Sequence, residues 1–250
     1  MTELRPYQSD VIEEFHGAVT AGSKRIILVS PTGSGKTIIA ANIIRTITRA
    51  QKSVLVLAHR REIIAQTVAK LRMAGIDPGI IMAGVKPRPL ELVQVASIQT
   101  LSVRSQRTGS MDLPPADVVS IDEAHHAPAR TYRQVIDAYP NAILLGLTAT
   151  PCRGDGRGLG GIFDTLIECP QVATLIDQRF LVATRTYAPI DPDLGGVQTR
   201  RGDYVEGELA DRMRSRRTGR RPRQPLAQVR RASEDRGLRR QRRPQRPHPR

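Results

Sequence analysis

An eight-residue loop, Ser30-Pro-Thr-Gly-Ser-Gly-Lys-Thr37, constrains the fold of this 250-residue chain more than any other segment. It follows an apolar run at 25–30 and precedes the stretch 36–49, whose isoleucines and alanines recur near helical spacing. A strand that enters a glycine-containing turn and leaves it as a helix is typical of a parallel sheet. The sequence therefore predicts an α/β protein with this turn at the carboxyl edge of its sheet.

The rest of the first 190 residues alternates in the same way. Short apolar runs bounded by polar or turn residues predict strands, and amphipathic stretches predict the crossover helices. The predicted strands are 25–30, 54–58, 92–96, 118–121 and 143–147, and the predicted helices are 36–49, 62–73 and 129–138. After a glycine-rich loop at 153–161 we expect one more helix and a final strand near 181–187.

The C-terminal segment differs from the body in composition. Residues 213–250 contain fifteen arginines, no lysine and two acids, and they carry thirteen of the fifteen net positive charges. We expect a compact domain over 1–190, a linker over 191–212 with a helix at 204–213, and an irregular, disordered Arg/Pro-rich tail over 213–250. Two explanations of the tail stay open: a nucleic-acid-binding arm, or the product of a reading-frame shift near Met213. On either account it binds polyanions.

Several classes of protein are excluded by the apolar pattern and the cysteines. The apolar runs are far shorter than the ~18 residues that cross a bilayer, so we expect no membrane partner. The N-terminus lacks the apolar core of a secretory signal, and Cys152 and Cys169 are the two cysteines of the whole sequence. We therefore predict a reducing, cytoplasmic setting.

The loop at 30–37 has the chemistry of a phosphate-binding P-loop. Gly33 and Gly35 allow the backbone to wrap an anion, Lys36 can reach the β- and γ-phosphates, and Thr37 can ligate Mg²⁺. Ser30 stands where the generic pattern G-x-x-x-x-G-K-[ST] has glycine. The alternative interpretation is a strand-to-helix turn with a solvated lysine.

Adjacent carboxylates end the predicted strand at 118–121. Asp122 can hold Mg²⁺, and Glu123 can orient and deprotonate the water that attacks a γ-phosphate. A solvated acidic loop would explain the pair equally well if it stood alone. With the P-loop it predicts a nucleoside-triphosphate hydrolysis site.

The loop at 30–37, Asp-Glu-Ala-His at 122–125 and Thr-Ala-Thr at 148–150 together resemble motifs I, II and III of superfamily-two helicases of DEAH type. The stretch 147–164 is similar to bacterial and phage helicases of the group that includes type III restriction translocase subunits. The resemblance implies a RecA-like lobe, with a second lobe missing from this chain. It also implies ATP and Mg²⁺ as cofactors and nucleic acid as partner, DNA rather than RNA. The implied ATP-binding residues are Ser30, Pro31, Thr32, Gly33, Ser34, Gly35, Lys36 and Thr37, with Lys36, Asp122 and Glu123 catalytic.

Further segments agree with the same family. Leu-Arg-Pro-Tyr-Gln at 4–8 resembles the element whose glutamine, here Gln8, reads adenine. Residues 58–62 and 96–101 resemble the loops that follow one nucleic-acid strand. They make His59, Arg60, Gln99 and Thr100 candidate phosphate contacts, with a solvated polar loop as the alternative. By resemblance, His125, Thr148 and Thr150 couple the ATP state to nucleic-acid binding; a hydroxyl-satisfied turn would also explain the threonines.

The resulting hypothesis is the N-terminal ATP-binding lobe of an ATP-dependent DNA helicase or translocase. Turnover by one lobe is expected to be slow, because a transition-state arginine is worth about 10³ to 10⁵ in rate. Two alternatives stay open: the translocase part of a type III-like restriction enzyme, and a non-catalytic fragment that binds nucleotide or nucleic acid.

Overall fold

The computed structural model of the protein describes residues 4–152, 156, 158–183, 194, 196–200, 203–204 and 206–215. The chain divides into two units, Met1–Thr186 and Tyr187–Arg250. All candidate site residues belong to the first unit.

The first unit is built on one seven-stranded parallel sheet with the strand order β3-β4-β2-β5-β6-β1-β7. In chain order the strands are β1 (Arg25–Val29), β2 (Val54–Ala58), β3 (Gly79–Ile81), β4 (Val93–Ser97), β5 (Val118–Asp122), β6 (Ile143–Thr148) and β7 (Thr165–Glu168). The helices are α1 (Pro6–Thr20), α2 (Lys36–Arg49), α3 (Arg61–Met73), α4 (Ile98–Ser102), α5 (Arg130–Asp137) and α6 (Val172–Asp177), with a π-helical turn at Val103–Arg107 and a 3-10 turn at Ala124–His126.

Helices cover both faces of this sheet, and every residue of β2 and β4 is buried. One apolar cluster lies between the sheet and the helices α1, α2 and α3, and the second lies on the opposite face with α4 and α5. A strand buried on both faces reads as a continuous apolar run, and β2, with the sequence Val-Leu-Val-Leu-Ala, is such a run.

The strand order brings together the three elements that carry the motifs. β6 lies between β1 and β5, with Val29 paired to Thr148 and Asp122 paired to Leu147. All three strands are parallel, so their carboxyl ends meet at one edge of the sheet. The predicted α/β fold with the glycine-containing turn at this edge is confirmed.

The main predicted elements are confirmed, with boundaries that differ by at most one residue. The strand predictions correspond to β1, β2, β4, β5 and β6, and the helix predictions to α2, α3 and α5. Helix α1 was not identified, although Pro6 suits a first helical turn and Gln8 Oε1 accepts a hydrogen bond from the Arg5 N–H. Strand β3 and helix α4 were also missed, because three and five residues are too short to show periodicity.

The expected final strand at 181–187 is wrong where the structure describes it, since residues 181–183 are not in a strand; residues 184–187 lie outside the described part. The Leu181 N–H instead donates to the Leu175 carbonyl and closes the end of α6. The edge position beside β1 is taken by β7, which precedes α6. Only Ile167 of its four residues is buried, so β7 lacks the apolar run of an interior strand.

The second unit contains a short antiparallel pair, β8 (Thr199–Arg200) with β9 (Asp203–Tyr204), followed by α7 (Glu206–Ser215). The Gln198 N–H donates to Glu208 Oε2 at 2.8 Å and ties the helix to the pair. Helix α7 corresponds to the helix predicted at 204–213. The arginine-rich segment 216–250 lies outside the described residues, and the proposed domain limits and the cytoplasmic setting stay predictions. Of the helices that the structure describes, none is long and apolar enough to cross a membrane.

Candidate functional site

The loop between β1 and α2 has the backbone of an anion cradle. Gly33 and Gly35 have φ angles of +85° and +90°, which L side chains rarely adopt. The Ile38 N–H donates to the Gly35 carbonyl at 2.8 Å, so α2 begins directly after the second glycine. The N-terminus of a fourteen-residue helix therefore lies at the end of the turn, where its free N–H groups favour a phosphate.

Two buried serines brace this loop. The Ser34 hydroxyl donates to the Pro31 carbonyl at 2.6 Å, and the Ser30 and Ser34 hydroxyl oxygens lie 2.5 Å apart. Because Ser34 has used its one hydroxyl hydrogen, Ser30 is the donor between them. Serine at position 30 thus supports the loop by a hydrogen bond that glycine could not make. Pro31 is half-buried, and Thr32 is exposed at the tip.

The start of α1 packs against the same loop. The Ser34 carbonyl accepts hydrogen bonds from the Tyr7 hydroxyl at 2.5 Å and from Gln8 Nε2 at 2.9 Å. Gln8 Oε1 accepts one hydrogen bond, from the Arg5 N–H, and so keeps a second lone pair. Gln8 therefore lies against the phosphate loop with one acceptor lone pair unused, and its reading of adenine stays a prediction.

An aromatic and cationic contact joins this region to the residues after α6, and no local sequence pattern predicts it. The Arg5 guanidinium lies 5.4 Å from the centre of the Phe180 ring and donates to the Phe180 carbonyl at 3.1 Å. The Tyr7 and Phe180 rings are 5.3 Å apart. Next to Phe180, Leu181 Cδ2 lies 3.3 Å from where a Cβ on Gly33 would be. The segment after α6 therefore covers one side of the loop.

A lysine, a glutamate and a histidine lie in a row at the centre of the site. Lys36 Nζ lies 3.3 Å from Glu123 Oε1, and His125 Nδ1 lies 3.3 Å from Glu123 Oε2. The Lys36 and Glu123 side chains are 17% and 30% exposed, so water still reaches the pair. Glu123 has φ of +55°, an uncommon angle for a residue with a Cβ. The backbone is thus bent at the residue expected to activate water.

Asp122 and Thr37 are the two residues predicted to hold Mg²⁺. Both line a small cavity between α2, α3 and the sheet, together with Lys36 and the buried Ser120. Burial raises the pKa of Asp122, and the nearby Lys36 opposes that rise. Among the described residues no three His, Cys, Asp or Glu side chains converge as a metal site. One carboxylate and one hydroxyl fit Mg²⁺ when phosphate oxygens supply further ligands.

Thr148, the last residue of β6, connects to the row of Lys36, Glu123 and His125 through the imidazole of His125. Thr148 Oγ1 lies 3.3 Å from His125 Nδ1, donates to the Thr150 carbonyl at 2.8 Å, and accepts from the Thr150 N–H at 3.1 Å. The three residues predicted to couple the site are therefore in one hydrogen-bonded group. That coupling role stays a prediction.

The candidate nucleic-acid residues lie at the carboxyl ends of β2 and β4. Gln99 Nε2 donates to the His59 carbonyl at 3.3 Å, so the two loops touch. Arg60 is the residue before the first turn of α3, and the Thr100 N–H is capped by the Ser97 hydroxyl at 3.4 Å. Beside them lies His126, whose ring is 4.4 Å from that of His59 and 4.2 Å from that of His125. His126 was left without a role by sequence reasoning, because its partner His59 is far away in the chain.

Comparison with known proteins agrees with this geometry. Residues 1–153 match the family model described as type III restriction enzyme, res subunit. A putative ATP-dependent helicase of Saccharomyces cerevisiae, IRC3, is 30% identical over 85% of this chain and 33% of its own length. The EcoAI type I restriction endonuclease subunit of Escherichia coli is 28% identical over 83% of this chain and 27% of its own.

The fold comparison points the same way. A nuclease-deletion mutant of the type ISP restriction-modification enzyme LlaGI, solved with a DNA substrate mimic, superimposes with a TM-score of 0.56 at 16% identity, over 72% of this chain and 21% of its own. This likeness confirms the RecA-like fold of a single lobe. The chain spans about a third or less of the length of these relatives.

Proposed function

Since the chain belongs to the family described as type III restriction enzyme, res subunit, we propose that it is the ATP-binding lobe of a DEAH-type DNA helicase or translocase. In this proposal the lobe hydrolyses ATP at the carboxyl edge of its sheet and holds DNA with the loops after β2 and β4. The relatives are helicase-like proteins and restriction subunits, and DNA translocation by this chain is the proposed activity.

The observation that carries the proposal is the ion pair between Lys36 and Glu123. A cation at the helix N-terminus and a carboxylate at a strand end are here 3.3 Å apart, across a loop that suits phosphate. A γ-phosphate would compete with Glu123 for Lys36 Nζ, because both are anions that accept from an ammonium group. Once Lys36 turns to the phosphate, Glu123 can accept a proton from the attacking water.

The other residues have supporting roles. Thr37 and Asp122 would hold Mg²⁺, whose charge offsets that of the phosphates. Gln8 would select adenine through the second lone pair of Oε1, which can accept from the adenine amino group. His59, Arg60, Gln99 and Thr100 would contact the sugar-phosphate backbone of one strand.

Steady-state ATPase activity of the full chain, with and without single- and double-stranded DNA, tests the proposal. We expect turnover that DNA stimulates and that Lys36→Ala abolishes, because the lysine contacts the transferred phosphate. Glu123→Gln keeps the shape but cannot accept a proton, so it should bind ATP and lose turnover. Lys86→Ala replaces an exposed lysine outside the site and should match the wild type.

Each outcome of that assay has a definite meaning. DNA-stimulated turnover that survives in Lys36→Ala would show that the site is not the loop at 30–37. ATP binding without DNA-stimulated turnover would favour the alternative, a fragment that binds nucleotide but does not hydrolyse it by itself.

A second candidate function is the translocating part of a restriction enzyme. It is favoured by the family description and by the restriction subunit among the relatives. The two functions differ in whether a nuclease accompanies the lobe. The downstream reading frame of the gene would encode a nuclease domain only under the second.

A further inference from the structure

The proposed function leaves His126 without a task, although its ring lies between the candidate nucleic-acid loop and the candidate catalytic centre. We propose that His126 is a positioning residue that transmits nucleic-acid occupancy of the loop after β2 to Glu123 inside this single lobe. This inference rests on the proposed function.

The first part of the argument is a continuous row of rings. The His59 ring meets the His126 ring at 4.4 Å with an angle of 66° between their planes, an edge-to-face contact. The His126 ring then lies 4.2 Å from the ring of His125, and His125 Nδ1 lies 3.3 Å from Glu123 Oε2. Side chains alone thus connect the end of β2 to the carboxylate that would activate water.

The second part is the backbone that joins His126 to Glu123. The His126 N–H donates to the Glu123 carbonyl at 3.0 Å within the 3-10 turn. Ala124, the first residue of that turn, and Ala127, which follows it, are fully buried. A shift of the His126 ring is therefore passed through this hydrogen bond to the backbone of Glu123. Glu123 has φ of +55°, a sparsely populated conformation that its surroundings must hold in place.

The third part is the end of the row of rings that lies at the candidate nucleic-acid loop, the His59 ring. His59 precedes Arg60, and its carbonyl is held by Gln99 Nε2 at 3.3 Å. Among the described residues His59 Nδ1 has no hydrogen-bond partner although it is buried, so ring packing on His126 fixes the imidazole. Burial lowers the pKa of both His59 and His126, which favours the neutral form of each ring. A nucleic-acid strand that moves the loop would move the His59 ring against His126.

The test measures the coupling between the two ligands in the full chain. A fluorescent, non-hydrolysable ATP analogue with Mg²⁺ is titrated with and without saturating oligo-dT, and the ratio of the two dissociation constants is the coupling factor. The arginine-rich tail is the same in the wild type and in every variant, so its own polyanion affinity affects all their coupling factors alike and cancels when a variant is compared with the wild type. We expect about fivefold coupling or more in the wild type and below about twofold in His126→Ala.

Two further variants separate ring packing from a loss of fold. His126→Phe keeps an aromatic ring and should keep most of the coupling, and a thermal melt checks that each variant is folded. His16→Ala removes a histidine of α1 that also packs edge-on against a ring, that of Phe15, away from the site; its coupling should equal the wild type.

The outcomes distinguish this inference from the function on which it rests. A wild type that binds both ligands with no coupling, or a folded His126→Ala with unchanged coupling, would overturn the role of His126 and leave the function standing. A chain that does not bind the analogue, or binds it equally well with Lys36→Ala, would overturn the proposed function itself.

Discussion

Three residues around the candidate site adopt left-handed backbone angles: Gly33, Gly35 and Glu123. The two glycines do so without a steric cost, whereas Glu123 pays of order 1–2 kcal/mol in local strain. The strained residue is the one expected to activate water, and the hydrogen bond from the His126 N–H to its carbonyl holds it in place.

Gly35→Ala is the residue-scale test of the loop geometry. Alanine at position 35 would have to adopt φ of +90°. Its Cβ would clash with Gln8 Nε2, which is hydrogen-bonded to the Ser34 carbonyl. We expect a loss of about 1–3 kcal/mol in the free energy of unfolding and at least about a tenfold loss of affinity for an ATP analogue. Denaturant unfolding and analogue titration measure the two effects.

Gly17→Ala is the matched control for that substitution. Gly17 lies inside α1 with open space where a Cβ would be, so alanine should stabilise the chain by up to about 1 kcal/mol and leave nucleotide affinity unchanged. Equal behaviour of the two variants would contradict the loop geometry.

At the scale of elements, the strand that carries the carboxylates is fixed at its start as well as at its end. Asp117 precedes β5, and its Oδ2 accepts from the Ser53 N–H and from the Ser53 hydroxyl, both at 2.8 Å. Ser53 precedes β2, and its carbonyl accepts from the Asp117 N–H at 3.0 Å. These bonds join the starts of β2 and β5, so they help to set the register at whose far end Asp122 lies.

Asp117→Asn should weaken that junction in a pH-dependent way. The bonds from the Ser53 backbone and side chain hold the pKa of Asp117 below its ordinary value, so the ionised form stabilises the folded state. Because the carboxylate is exposed, we expect a loss of about 0.5–1 kcal/mol at pH 7. The contribution is present above about pH 4 and disappears as pH falls through the lowered pKa.

Denaturant unfolding at pH 7 and pH 3 measures the difference between the two proteins, with Asp112→Asn, an exposed acid elsewhere, as control. A difference that stayed constant between these two pH values would show that the charge of Asp117 is not what joins the strands.

At the scale of the whole molecule, charge is divided unequally along the chain. The body to residue 212 carries two net positive charges, and residues 213–250 carry thirteen. The affinity of the full chain for a polyanion is therefore a poor measure of nucleic-acid binding by the first unit. The segment beyond residue 212 binds polyanions through its charge alone.

Truncation after Ser215 should separate the two contributions. We expect the shortened chain to lose most of its non-specific affinity for DNA at low salt and to keep its affinity for an ATP analogue. The slope of log affinity against log salt should become less steep, by about 0.7 for each phosphate contact to single-stranded DNA that is lost. An unchanged slope would mean that the body, not the arginine-rich segment, neutralises the phosphates.

The sequence by itself determined the elements whose signals are local. A strand buried on both faces reads as a continuous apolar run, and the glycines, Lys36 and Thr37 must be contiguous to wrap a phosphate, so β1, the loop and α2 were all predictable. Alternating strands and helices predict a parallel sheet, in which the carboxyl ends of all strands lie at one edge. Asp122, at the end of another strand, was therefore expected at the same edge as that loop.

Only the tertiary structure decided the contacts that depend on distant partners. Phe180 meets Arg5, and His126 meets His59, across separations for which no sequence period exists. Strand β7 was missed because it has a single buried residue and so shows no apolar pattern in the sequence. It is a strand because it pairs with β1 at the edge of the sheet. Such contacts are chosen by packing between elements already formed, and packing is a property of the assembled sheet and not of any one segment.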